Sequence, residues 1–175
     1  MQADLDTDFQ AAKTAGFDYL EIWAAKLQTF LHHRTTRELN ELIAKGGVPP
    51  LSINSIEHVT FCDSLTWDGL KGQCAELSQV AEKINCPFIV VVPSPLPDGG
   101  ATREEVIAES VRALRELCDI AARHNVSLAF EFLGQPDCSV PTLDLAHDIV
   151  RATDRKNLGL VIDSFHLYAG GSTIE

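Results

Sequence analysis

Three residues in the last third of the chain have types and spacing that could do chemistry. Glu131 sits inside the apolar run Leu128 to Leu133, and Asp163 and His166 sit inside the run Leu158 to Leu167. A carboxylate in a strand interior loses hydration, which opposes its charged form unless a partner compensates. If the two runs are neighbouring strands, the acids project about 5 Å apart. Two anions that close drive one pKa up sharply, and a divalent cation removes the conflict. Carboxylate oxygens with an imidazole suit Mn, Mg, Co or Zn better than they suit a thiolate-selected metal. The plain alternative is that each acid pairs with a lysine or arginine, or accepts loop amides. For either acid alone that alternative is preferred, whereas the pair with a histidine three residues on points to a shared cation. His166 itself reads three ways: metal ligand, substrate contact, or loop histidine satisfied by backbone.

The elements that must position these groups follow a repeating pattern. Short apolar runs begin near Phe17, Pro49, Phe88, Val126 and Leu158, at separations resembling the ~30-residue βα unit. The runs FIVVV and LGLVI are too continuously apolar for a half-solvated antiparallel sheet. They predict an α/β fold whose parallel sheet is covered by helices on both faces. Between the runs, Val106, Ser110, Val111, Leu114, Leu117, Cys118 and Ala121 fall at helical spacing, as do Leu70, Cys74, Leu77, Ala81 and Ile84. Thr35 with Glu38 and Thr102 with Glu105 predict capping boxes. Asp98, Gly99 and Gly100 read as a turn before the second box, not as an anion cradle.

In parallel α/β folds, functional groups collect at the carboxyl ends of the strands. Besides the acids already named, Glu21, Asn54, Glu57, His58 and Ser94 fall at such ends. Glu57 and His58 read equally well as a solvated loop. His32, His33, His124 and His147 read as surface, and Cys138, between two prolines, as a candidate exposed thiol with no histidine predictably close.

Composition bounds the partners. A hydrophobic content of 45% over 175 residues gives enough apolar side chains for one globular core. The net charge of −11 repels phosphate backbones and anionic lipid, so no nucleic acid and no membrane partner is expected, whereas a cation or neutral polyol is not repelled. Five cysteines without a CxxC pair argue for buried thiols in a reducing compartment, and with no secretory signal or apolar span the expected location is cytoplasmic.

The segments LAFEFLG at 128–134 and GLVIDSFHLYAGGSTIE at 159–175 closely resemble the xylose isomerase-like TIM barrels, within them the sugar phosphate isomerase/epimerase group that includes the inosose isomerases of myo-inositol catabolism. GFDYLEIW at 16–23, LSINSIE at 51–57 and FIVVVP at 88–93 match in order and spacing. The resemblance implies a (β/α)8 TIM barrel, incomplete here: residues 1–175 form one partial domain of about five βα units, lacking the first strand and the last two units. It implies a divalent metal ion at the barrel mouth, with Glu131 as ligand and catalytic proton-transfer group and Asp163 as a second ligand. It further implies that His166 contacts substrate oxygens and that Glu21 and Asn54 line the pocket. The family's seventh-strand histidine and eighth-strand glutamate have no counterpart here.

The expected activity is isomerisation or epimerisation of a sugar, keto-sugar or inosose through an enediolate. The rival readings are a non-catalytic barrel fragment and an endonuclease IV-like DNA-repair enzyme, the latter opposed by the acidic charge. Open sheet edges predict a poorly soluble chain or a homo-oligomer.

Overall fold

A computed structural model of the chain describes residues 3–173. The apolar runs become five strands: β1 Leu20–Trp23, β2 Pro50–Ile56, β3 Phe88–Val91, β4 Ser127–Glu131 and β5 Leu158–Val161. Around them lie α1 Leu5–Ala15, α2 Ala24–His33, α3 Thr36–Gly46, α4 Ser64–Lys83, α5 Arg103–Ala121, α6 Leu143–Thr153 and α7 Ser164–Ala169. Among the described residues these five strands pair in parallel, in the order β1-β2-β3-β4-β5.

That order corrects one expectation. A doubly covered sheet needs a point where the strand order reverses, and none occurs here. Right-handed crossovers in unbroken sequence place every connecting helix on the same side. Burial agrees: Ile22, Ile53, Ile89, Val91, Leu128 and Phe130 are at most 1% exposed and join the helix-side core. The intervening residues face the other way, in registered rows: Glu21 with Ser52, Trp23 with Asn54, Val90 with Ala129 and Gly159, and Glu131 with Val161. Of these, Glu21, Trp23 and Gly159 are exposed. This second face is the inside of a barrel arc.

The helices form where their caps and stripes predict. Both capping boxes are present, Thr35 with Glu38 opening α3 and Thr102 with Glu105 opening α5. The buried faces of α5 (Val106, Ala113, Leu114, Leu117, Cys118, Ala121) and α4 (Cys74, Leu77, Ala81) pack on the strands. Gly99 and Gly100 take positive φ in the turn before Thr102.

Two open edges carry exposed apolar groups. Phe17, Tyr19 and Trp23 border a groove of about 670 Å³ along β1. Ile162, Phe165 and Tyr168 lie exposed beyond β5. Such edges are where the expected self-association would form.

Candidate functional site

Glu131 is the last residue of β4 and pairs with Val161 on β5. Because Leu128 and Phe130 point into the helix-side core, strand alternation turns Glu131 onto the inner face at the carboxyl end of the sheet. There it is half-buried, and among the described residues no donor makes a hydrogen bond to its carboxylate. Burial, then the negative charge of Asp163, then that of Glu21, push its pKa up to about 7 from 4.5.

A raised carboxyl pKa makes stability fall as pH rises. Between 4.5 and about 7 the folded state holds a proton that the unfolded state has released, so the penalty grows through that window and is complete above it. Discounted for the solvent-facing half of the group, its size is about 1–2 kcal/mol. In chelator, wild type is therefore expected to lose stability between pH 5 and pH 8 relative to Glu131→Gln, as measured by urea midpoints. A gap between the two proteins that is the same at both pH values would contradict this.

Asp163 is placed differently from the strand position its apolar run suggests. β5 ends at Val161, and Asp163 is the N-cap of α7. Its Oδ1 accepts from the N–H groups of Phe165 at 2.7 Å and His166 at 3.0 Å, the usual work of an aspartate before a helix. One carboxylate oxygen thus accepts amides, as the plain alternative anticipated. The other, Oδ2, has no hydrogen bond among the described residues, and the charge of Asp163 is felt at Glu131.

His166 lies on α7, not on a strand, and its Nδ1 accepts the Gly134 N–H at 3.3 Å. Glu21 and Asn54 meet on the inner face of the sheet. Glu21 Oε1 accepts from Asn54 Nδ2 at 2.8 Å and Oε2 from Ser52 Oγ at 2.6 Å. Ser52 was not singled out in the sequence, although its position two residues before Asn54 on one strand places both on the same face. Trp23, on the same face and 44% exposed, was missed for a similar reason: in the run FDYLEIW it reads as one more core aromatic.

Other strand-end residues do not join this group. Glu57 and His58 are exposed beyond β2, with Ser55 Oγ donating to Glu57 at 3.2 Å. Ser94 is buried and ties loops together. Its N–H donates to Thr60 Oγ1 at 3.0 Å, its Oγ accepts from Thr60 N–H at 3.2 Å, and its carbonyl accepts from Ser139 N–H at 3.0 Å and Ser139 Oγ at 2.6 Å. Ser94 Oγ also donates to the Thr60 carbonyl, so Ser94→Ala is expected to cost about 2 kcal/mol by leaving the buried Thr60 N–H and carbonyl unpaired. A urea midpoint unchanged from wild type would contradict that role. Cys138, the candidate exposed thiol, is 4% exposed and packs its sulfur beside Val140. All five cysteines are free and four are buried, as expected.

The described residues gather no group of three or more His, Cys, Asp or Glu side chains able to hold a metal. What they offer is a pair of carboxylates. The under-partnered Glu131, raised in pKa by burial and then by a neighbouring acid, fits a hard or borderline divalent cation held by oxygen donors. No described helix is long and apolar enough to cross a membrane.

Comparison with known proteins gives this geometry a context. Residues 9–175 match the family model described as xylose isomerase-like TIM barrel. The inosose isomerases of Bacillus velezensis and Bacillus subtilis are each 32% identical over 174 residues, covering 99% of this chain and 62% of their own length. A crystal structure of the IOLI protein with a bound zinc atom superposes with a TM-score of 0.92 at 31% identity, covering 98% of this chain and 62% of that one. D-psicose 3-epimerase with D-tagatose, from Clostridium cellulolyticum, has a TM-score of 0.82 at 20% identity, covering 99% of this chain and 62% of that one, a likeness of fold alone. The chain thus spans 62% of the length of these two inosose isomerases. With its strands in barrel order, its acids at their carboxyl ends and the family model matching from residue 9 to residue 175, the chain belongs to the xylose isomerase-like TIM barrel family.

Proposed function

We propose that this chain carries the metal-binding and proton-transfer part of an isomerase or epimerase acting on a sugar, keto-sugar or inosose. The observation that carries the reading is Glu131: a half-buried carboxyl at the mouth of the arc, pushed up to about 7 by burial and by Asp163. Its charged form lacks a partner, and a divalent cation there would supply one and hold Glu131 as the carboxylate that accepts a proton from the substrate. Its relatives add support, since those matched at 32% identity are inosose isomerases and the IOLI structure holds zinc.

In this reading Glu131 and Asp163 hold the cation, Asp163 through the oxygen that α7 leaves free. A divalent ion there would polarise the substrate carbonyl and adjacent hydroxyl, which stabilises an enediolate. Glu131, on one side of the substrate, removes the proton from the carbon next to the carbonyl and can return it to the neighbouring carbon on that same side, whereas reprotonation of the opposite face requires a second acid. Glu21, anchored by Ser52 and Asn54, presents a fixed acceptor for substrate hydroxyls, and His166 faces a substrate oxygen. The inner face is acidic in a chain of net charge −11, which suits a neutral polyol and a cation and opposes a nucleic-acid backbone.

A second reading, a barrel portion without chemistry, draws on the absence of any group of three ligating side chains among the described residues. Exchange separates the two. With Mn²⁺ present and inosose in D₂O, the proposed function predicts deuterium entering at the carbon beside the carbonyl, followed by NMR. Incorporation no faster than in a protein-free control supports the second reading.

A further inference from the structure

The loop that follows Glu131 touches α7 backbone to backbone. A Cβ on Gly134 would run into Gly170 N and His166 O, and one on Gly170 would run into Pro141 O. No positive φ is involved at either residue, so the requirement for glycine is close approach alone. A further tie lies just past the helix, where Ser172 Oγ accepts the Leu143 N–H at 3.0 Å. At the centre of this contact the Gly134 N–H points at His166 Nδ1, 3.3 Å away.

We propose that Gly134 is a positioning residue that fixes His166 as its Nε2–H tautomer, so that the ring meets a sugar carbonyl or hydroxyl oxygen as a hydrogen-bond donor. A neutral imidazole carries one N–H and one lone pair. An amide N–H aimed at Nδ1 requires the lone pair there, which leaves the proton on Nε2. Turning the ring over would set a C–H against the amide and forfeit the bond. The arrangement is the reverse of a typical metal-bound histidine, whose outer nitrogen donates to a carbonyl or carboxylate and whose inner nitrogen keeps its lone pair for the metal. Of the three readings open to His166 from sequence, this one selects the substrate contact and assigns the direction of its hydrogen bond. The backbone N–H of His166 donates to Asp163 Oδ1 at 3.0 Å, which fixes the start of α7, and Phe165 stands edge-on to the imidazole with ring centroids 5.3 Å apart. Gly134 and Asp163 thereby fix the ring and the backbone of His166 respectively.

The role in substrate contact rests on the proposed function, but the tautomer does not. Long-range ¹H–¹⁵N correlation spectra of the ¹⁵N-labelled chain, in chelator at pH 8 and without substrate, read it directly. The His166 signals are identified by their loss in His166→Gln. The expected result is a pure Nε2–H pattern for His166; an Nδ1–H pattern, or an averaged one like that of a solvent-exposed imidazole, would overturn the proposal whatever the enzyme's activity. In Gly134→Ala the pattern should become averaged while the signals of the other five histidines stay in place, and a pure Nε2–H pattern retained in a folded variant would overturn the positioning role. In the exchange assay, His166→Gln keeps a donor near the Nε2 position and His166→Asn does not. The KM for inosose should therefore rise about tenfold in the Asn variant and less in the Gln variant, a step the size of one neutral hydrogen bond. Equal effects of the two would overturn the donor assignment. If no exchange is seen with any protein while the tautomer is as expected, the proposed function fails and the positioning role stands.

Discussion

Glu131→Gln is expected to slow deuterium exchange at the carbon beside the carbonyl by about 10²- to 10⁴-fold, the span typical of a positioned acid/base group. Gln keeps the size and the polar end of the side chain, so the fold should persist. It cannot carry the proton, and its neutral oxygen is a poorer ligand for a cation. Replacing Glu21 in the same way should have a smaller effect, because Glu21 is anchored by Ser52 and Asn54 and has no assigned part in proton transfer. NMR of inosose in D₂O over a range of Mn²⁺ concentrations checks the claim. An exchange rate within threefold of wild type at saturating metal would remove Glu131 from the reaction.

Phe130→Ala should have the largest effect on stability, about 3–5 kcal/mol. The ring is 0% exposed and stands between Val91 on β3 and Leu160 on β5, on the helix side of the sheet. Domains of this size have net stabilities of about 5–15 kcal/mol, so a loss of that magnitude removes a large share of the total. It is expected as a lower urea midpoint with an unchanged slope, and a loss under about 1 kcal/mol would show that the site collapses around the gap. Because Phe130 is bonded directly to Glu131, any relaxation of β4 also shifts the carboxylate, and misplacement by about 1 Å costs rate even without lost stability.

The two variants probe the two faces of one strand, and the sequence was unequally informative about those faces. The helix-side face was legible because Ile89, Val91, Leu128 and Phe130 sit in runs too apolar to be anything but buried strand. The number of helix layers was not legible in the same runs. Val90, Ala129 and Val161 are apolar in the inner row of an arc, as they would be under a second layer of helices, and only the unreversed strand order separates the two. The helix α2 was missed because it starts directly from β1 at Trp23, which makes no side-chain capping bond. α3 and α5 were visible through their boxes.

At the site, the pairing of Glu131 with Asp163 was readable from composition and order, since acids near the ends of two apolar runs one βα unit apart are costly to bury unless they share a partner. That Asp163 belongs to a helix cap was not read, although Asp-Ser before an aromatic is a helix-start signal. The apolar residues Ile162, Phe165 and Leu167 around it extended the strand pattern past its true end at Val161. The contact between Gly134 and Gly170 leaves no local trace at all. It joins two backbones distant in sequence, and each glycine taken alone reads as an ordinary turn.

Calorimetric titration of the chain with Mn²⁺ tests the proposal that Glu131 and Asp163 share one divalent cation. Wild type should bind about one ion per chain, with affinity lowered at least tenfold in Glu131→Gln and again in Asp163→Asn, as expected when a charged oxygen ligand becomes neutral. Absence of binding by wild type, or equal affinity in all three proteins, would contradict it.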